Sequence, residues 1–168
     1  EYGRNHAPLP QLPPTVFGFC APLPRPPAEH LERGIACVTA SDTRWSRCDI
    51  KSVALLANVL LRQLACDAGA QETILLRDGL LTDASASTVH VVRDGVLRTP
   101  PDSRWILPGT TRSVVEELAT RIGLEWHATP VTEAELRGAD EIWLAAATRE
   151  VSSVTRPDGQ PVGGGVPG

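Results

Sequence analysis

The chain has 168 residues, 42% of them hydrophobic and 21% charged, with a net charge of −4; that is enough for one well-buried core in a globular domain. No apolar run approaches the ~20 residues needed to span a bilayer, which excludes a membrane-spanning helix. A mildly acidic balance, dispersed arginines and only 4% aromatic residues argue against a nucleic-acid surface.

Residues 1–31 hold eight of the 15 prolines, including Pro13-Pro14 and Pro26-Pro27, and read as extended chain with at most a short strand at Thr15–Phe19. Gly34–Thr39 is a stronger strand, β-branched and apolar. A helix is expected over Val53–Ala68, where Leu55, Leu56, Val59, Leu60 and Leu64 recur at helical spacing before Gly69. Strands follow at Glu72–Leu76 and, after an Arg77-Asp78-Gly79 turn, at Leu80-Leu81. Thr88–Val92 and Val96–Thr99 flank a second Asp-Gly turn, a hairpin signal. Thr110–Ile122 is expected as an amphipathic helix with Val114, Val115 and Leu118 inward and Gly123 as its stop. Leu124–Ala128 reads as a strand. Thr132 and Glu135 form a capping box for a short helix ending at Gly138. Glu141–Ala146 is an apolar strand, and a last hairpin is expected to turn at Pro157-Asp158-Gly159. This mixture lacks strict βαβ alternation, so the class is α+β, or an α/β barrel-like sheet, and not a dinucleotide-binding Rossmann domain.

Cys20, Cys37, Cys48 and Cys66 include no C-x-x-C pair, so no metal site is expected and scattered buried thiols are the better reading. Glu1 is not an initiator, the start has no signal-peptide pattern, and the Gly-rich end has no closing element, so both ends are expected to be truncated.

Of the 16 basic residues, 15 are Arg; Lys51 is the one lysine. An amine can lose its proton and attack a carbonyl, whereas a guanidinium stays charged, although a surface lysine left by chance is an equal reading of the count. Lying between Asp49-Ile50 and an apolar helix, Lys51 is expected to be partly buried, where desolvation disfavours its charged form. Gly109-Thr110-Thr111 opens a helix with free N–H groups that can cup a phosphate; an ordinary N-cap is the commoner case. Asp83 follows a strand and is most simply a turn aspartate. Arg4 and His6, two apart in extended chain, share a face and can converge on one carboxylate, or are solvated residues near a chain end. His30, His90 and His127 have no partner at ligand or triad spacing and read as surface or core residues. Together an amine, an anion cup, a carboxylate and a cation pair are the parts required by pyridoxal 5′-phosphate and an amino-acid substrate.

Arg44-Trp45-Ser46-Arg47-Cys48-Asp49-Ile50-Lys51-Ser52 closely resembles the cofactor-lysine segment of the D-amino-acid aminotransferases, fold-type IV enzymes related to branched-chain aminotransferases and aminodeoxychorismate lyase. Arg4-Asn5-His6-Ala7 is similar to that family's carboxylate trap, Leu81–Ser87 to its T-E-G-S-S-S stretch, and Leu107–Arg112 to its phosphate cup. The resemblance implies the barrel-like large domain of that fold class over residues 32–168, C-terminally truncated, with 1–31 as the end of the small domain and the interdomain connection. It implies Lys51 as the Schiff-base lysine that shuttles a proton, and Asp83, 32 residues on, as partner of the pyridine nitrogen. Leu107, Gly109, Thr110, Thr111 and Ala147 would line the cofactor, and Arg4 and His6 would bind the substrate carboxylate across a homodimer.

The activity implied is ping-pong transamination of D-alanine with 2-oxoglutarate, giving pyruvate and D-glutamate, in the cytoplasm, with only small-molecule amino-acid and 2-oxo-acid partners and no metal. A lyase, a branched-chain or (R)-amine transaminase, or a non-catalytic relative are the alternatives, and a piece of this length is expected to be poorly active alone. Two departures stand out: Asp83 replaces a glutamate, and Ala146 and Ala147 replace hydroxyl residues near the phosphate.

Overall fold

A computed structural model describes residues 13–23 and 25–168. The elements in chain order are α1 (Ala28–Arg33), β1 (Ile35–Ser41), α2 (Leu56–Asp67), β2 (Glu72–Arg77), β3 (Leu80–Ala84), β4 (Thr88–Arg93) and β5 (Val96–Thr99). They continue with α3 (Thr110–Ile122), β6 (Trp126–Ala128), α4 (Glu133–Arg137), β7 (Glu141–Ala146) and β8 (Glu150–Pro157). All eight strands join one sheet in the order β3-β2-β1-β8-β7-β4-β5-β6, which curls into a half-barrel. Three pairings are parallel, β1 with β2, β1 with β8 and β5 with β6, and the rest are antiparallel. A mixed sheet with unevenly interspersed helices is the α+β class expected.

Local chemistry sets the connections. Asp78-Gly79 and Asp94-Gly95 all have positive φ (53° and 75°, 53° and 73°), which gives the two tight hairpin turns β2–β3 and β4–β5. α3 spans the expected residues and ends at Gly123, whose left-handed φ of 75° lets its N–H reach the Ala119 and Thr120 carbonyls. The Thr132–Glu135 capping box is present, with the side chain and the backbone of each residue bonded to the other.

The core lies on the two faces of the sheet. Ile35, Ile74, Leu81, Val89, Val91, Ile142, Leu144 and Val154 form the larger cluster. Val92, Leu97 and Ala145 pack under Val115 and Ala119 of α3.

Several expectations fail for identifiable reasons. Thr15–Phe19 forms no strand, and its Val16, Phe17 and Phe19 are exposed. Residues 51–55 are irregular and α2 begins only at Leu56. That helix rests on the sheet through Leu61 and Ala65, while Leu56, Val59 and Leu60 point away and are exposed. On α3, likewise, Val115 and Ala119 are buried, whereas Val114 and Leu118 are about half exposed. Both helices are apolar around much of their circumference, so periodicity offers more than one candidate inner stripe. The last hairpin turns at residues 147–149, between β7 and β8, and Pro157 ends β8 instead of opening a turn between strands. Only Cys37 and Cys48 are buried; Cys20 and Cys66 are exposed, and all four are free.

Candidate active site

Asp83 is the centre of the most unusual electrostatics in the fold. β3 carries an extra residue against β2: Leu81 to Ala84 is three steps where the partners Leu76 to Ile74 are two. A bulge of this kind re-aims side chains, and here Thr82 and Asp83 are both buried. Asp83 Oδ2 accepts a 3.1 Å bond from Arg44 Nη1, while Oδ1 is buried with no partner among the described residues. Burial pushes the carboxyl up to about 7, against the pull of the Arg44 guanidinium and the backbone amides of Ala84 and Leu107. Asp83 is therefore a buried strand residue, not a turn aspartate.

Leu107, whose backbone amide lies near enough to the Asp83 carboxyl to favour its charged form, stands two residues before Gly109 at the opening of α3. Gly109 is the helix N-cap in extended conformation with no side-chain cap bond, so the amides of Thr110 and Thr111 have no intrahelical acceptor. Free amides at the positive end of a helix dipole are groups that can receive an anion. A Cβ at Gly109 would sit 3.2 Å from Thr88 Oγ1, which places this end against the start of β4. Thr88 also pairs with Ala145 of β7, and two residues further on Ala147 lies exposed in the β7–β8 turn. Arg149 of that turn reaches back to Glu72 Oε2 at 3.7 Å. Glu72, fully buried on β2, accepts from the hydroxyls of Ser85 and Ser87 and from the Thr73 amide. Residues 83–88, 107–111 and 145–149 therefore gather at one end of the sheet.

Lys51 is not tucked behind the helix. It is exposed in the irregular stretch before α2, between an Ile50-to-Arg47 backbone bond and the Ser52 side chain that accepts from the Ala54 amide. The segment leading to it is anchored: Arg44 Nη2 donates to the Trp105 carbonyl at 2.9 Å and the Cys48 amide to the Arg104 carbonyl at 2.7 Å. The segment that leads to the lysine is thus tied to Arg104 and Trp105, and Arg44 of the same segment also bonds Asp83. Arg4 and His6 lie outside the described residues.

Sequence reading gives no role to Arg44, which it meets only as the first residue of the lysine segment, or to Asp42, Glu72 and Arg149, because isolated charges in a strand or turn carry no spacing signal. Asp42 stands two residues before Arg44, the first residue of the lysine segment, which is the available hint. His90 is completely buried on β4, and neither ring nitrogen has a partner among the described residues. Burial and the nearby Arg112 charge push its pKa down to about 4.

An asymmetric acceptor with one free buried oxygen, next to an uncapped helix N-terminus, suits a flat cationic heterocycle bearing a phosphate. The donors present therefore fit a pyridoxal-phosphate-like group. Residues 3–156 match the family described as amino-transferase class IV. The chain is similar to the D-alanine aminotransferase of Bacillus licheniformis, 42% identical over 98% of this chain and 58% of that protein. It is also similar to that of Staphylococcus aureus (strain MW2), 38% identical over 96% and 57%. Among solved structures it resembles the Escherichia coli branched-chain amino acid aminotransferase (TM-score 0.74, 30% identity, 90% of this chain and 51% of that one). The T.th. branched-chain amino acid aminotransferase with pyridoxamine 5′-phosphate is likewise similar (TM-score 0.76, 29% identity, 83% and 48%). The chain spans little more than half the length of the curated relatives it matches.

Proposed function

The chain belongs to the amino-transferase class IV family, and from that premise we propose that it is the cofactor-binding part of a pyridoxal-phosphate-dependent D-amino-acid aminotransferase. The substrates on this reading are D-alanine and 2-oxoglutarate, exchanged for pyruvate and D-glutamate. The D-alanine enzymes of Bacillus and Staphylococcus match it at 38–42% identity, the branched-chain structures at 29–30%, which favours the D-amino-acid branch. The observation that carries the reading is the buried, partnerless Oδ1 of Asp83 beside the open end of α3.

Bound pyridoxal phosphate would supply an aldehyde to capture an amino group and a ring to take up the electron pair left when the substrate Cα–H bond breaks. The residues divide the remaining work. Lys51 Nζ is the nucleophile and then the base that moves the proton at the substrate Cα. Asp83 Oδ1 accepts the N–H of the ring nitrogen and holds that proton in place. The Thr110 and Thr111 amides, with Gly109 leaving room for close approach, bind the phosphate, and Leu107 and Ala147 line the site. Arg4 and His6 are the pair we assign to the substrate carboxylate. We further read residues 1–31 as a connecting segment, 32–168 as the cofactor domain, and the assembly as a homodimer, for which the exposed apolar face of α2 gives support. A cytoplasmic setting fits its four unpaired cysteines.

Borohydride treatment of the chain loaded with pyridoxal phosphate should fix a pyridoxyl group on Lys51, read by peptide mass spectrometry and lost in Lys51→Ala. Labelling elsewhere, or none, would overturn the reading. Side-by-side assay of D-alanine, L-leucine, an (R)-amine and aminodeoxychorismate separates the substrate classes.

A further inference from the structure

Arg44 is as buried as a hydrophobic core residue: its side chain is 5% exposed, with Asp42 at 0% and Asp83 at 6%. Four of the five N–H groups of the guanidinium are bonded, which fixes its plane. Nε and Nη2 take the two oxygens of Asp42 at 3.0 and 3.1 Å, Nη2 also donates to the Trp105 carbonyl, and Nη1 takes Asp83 Oδ2. Asp42 is held in turn by the Arg44 amide at 3.0 Å, by the Thr82 hydroxyl at 2.9 Å and by Arg77 Nη2 at 3.4 Å. Thr82 immediately precedes Asp83 on the bulged strand. The Asp42–Arg44 pair therefore grips Asp83 from two directions, through its carboxylate and through its neighbour.

We propose that Arg44, braced by Asp42, is the positioning residue that makes Asp83 a one-oxygen acceptor: Oδ2 is committed to the guanidinium, and Oδ1 alone is presented to the nitrogen of the bound ring. The identity of that ring rests on the function proposed above; the grip on Asp83 does not. One cation here faces two carboxylates, with Arg77 close to Asp42 only. Asp42 thus competes with Asp83 for the Arg44 charge, and the competition sets how readily Asp83 stays ionised. A free carboxylate could rotate and offer either oxygen, or protonate and become a donor, and a protonated Asp83 cannot hold a proton on the ring nitrogen. The fork geometry matters as well as the charge, because a lysine ammonium cannot serve Asp42 with two parallel bonds and Asp83 with a third.

The test titrates Asp83 by carboxyl-carbon NMR in the cofactor-free 168-residue chain, with Asp83→Asn for assignment. Arg44→Gln should move the Asp83 titration upward by about one pH unit or more, and Asp42→Asn should move it downward, since the undivided guanidinium then serves Asp83 alone. A role confined to stability would weaken both variants without moving Asp83 in opposite directions. Pyridoxal-phosphate affinity, read by absorbance titration, should fall at least about tenfold in Arg44→Gln and be only partly restored in Arg44→Lys. An unmoved Asp83 titration, or shifts of the same sign in the two variants, overturns the proposal. Should Arg44→Gln fail to fold, Asp42→Asn decides alone: a downward shift of the Asp83 titration supports the proposal, and no shift or an upward one overturns it. A chain that binds no pyridoxal phosphate refutes the cofactor reading, and the titration still decides the role of Arg44.

Discussion

His90 and Asp83 bind protons in opposite senses, and this can be measured. The imidazole is wholly buried with neither nitrogen bonded among the described residues, and its pKa falls from 6.5 to about 4. Below pH 6.5 the unfolded chain takes a proton there that the folded chain refuses until about pH 4. His90 therefore removes stability as pH falls through that window, by about 2 kcal/mol at pH 5 and about 3 kcal/mol at pH 4. Asp83 does the reverse: its folded value of about 7 lies above the ordinary 3.8, so the folded chain binds its proton first and gains stability as pH falls from 7 towards 3.8. The two contributions offset one another in the parent. His90→Leu keeps the volume and surrenders no hydrogen bond. Urea unfolding at pH 7, 6, 5 and 4.5 should therefore show its stability relative to the parent rising by about 2 kcal/mol between pH 7 and 5. In an Asp83→Asn background the acid sensitivity of His90 should appear undisguised. A flat difference between His90→Leu and the parent across this range would refute the reasoning.

Two stability predictions follow from single contacts. Glu72→Ala strips the Ser85 and Ser87 hydroxyls and the Thr73 amide of an acceptor and leaves Arg149 uncompensated. It should cost about 3 kcal/mol in chemical denaturation, with Glu72→Gln costing clearly less; equal losses would argue against the ionic component. Gly34 adopts φ 70° and ψ −170°, a region open essentially only to glycine. An added Cβ would lie 2.5 Å from Thr155 Cγ2 and 2.8 Å from the Ser153 carbonyl. Gly34→Ala should lower stability by about 3 kcal/mol or more, and a melting temperature within a degree of the parent would show that β8 can yield.

The legible parts of the fold were those written in local chemistry. The two Asp-Gly turns, the Thr132–Glu135 capping box and the Gly123 stop each fix a backbone conformation within a few residues, and β4, β5, α3, α4 and β7 fall close to where they are expected. Which face of α2 and α3 turns inward was not legible, because Leu56, Val59 and Leu60 compete with Leu61 and Ala65 in periodicity, and the sheet selects the narrower pair. The motif residues of the site stood out through their resemblance to a known pattern. Their supports did not, since Arg44 to Asp83 and Glu72 to Arg149 are contacts 39 and 77 residues apart in sequence. The extra residue that turns Thr82 and Asp83 into the interior shows only in the pairing of β3 with β2.

The supports also account for how this chain can depart from the pattern it resembles. A shorter carboxylate depends more on its backbone for its aim, and Asp83 is placed by a bulge and by a buried guanidinium. At the other end, Ala146 and Ala147 offer no hydroxyls, but the turn that bears Ala147 is tied through Arg149 to the buried Glu72. A lost neutral hydrogen bond weakens binding by about 0.5–1.5 kcal/mol. The uncapped end of α3, with its free amides and dipole, supplies several interactions of that size to an anion. Backbone groups in a rigid frame can therefore replace side-chain donors, provided the frame is held, and here the buried Arg44 cluster braces it at one end and the half-buried Arg149–Glu72 contact at the other.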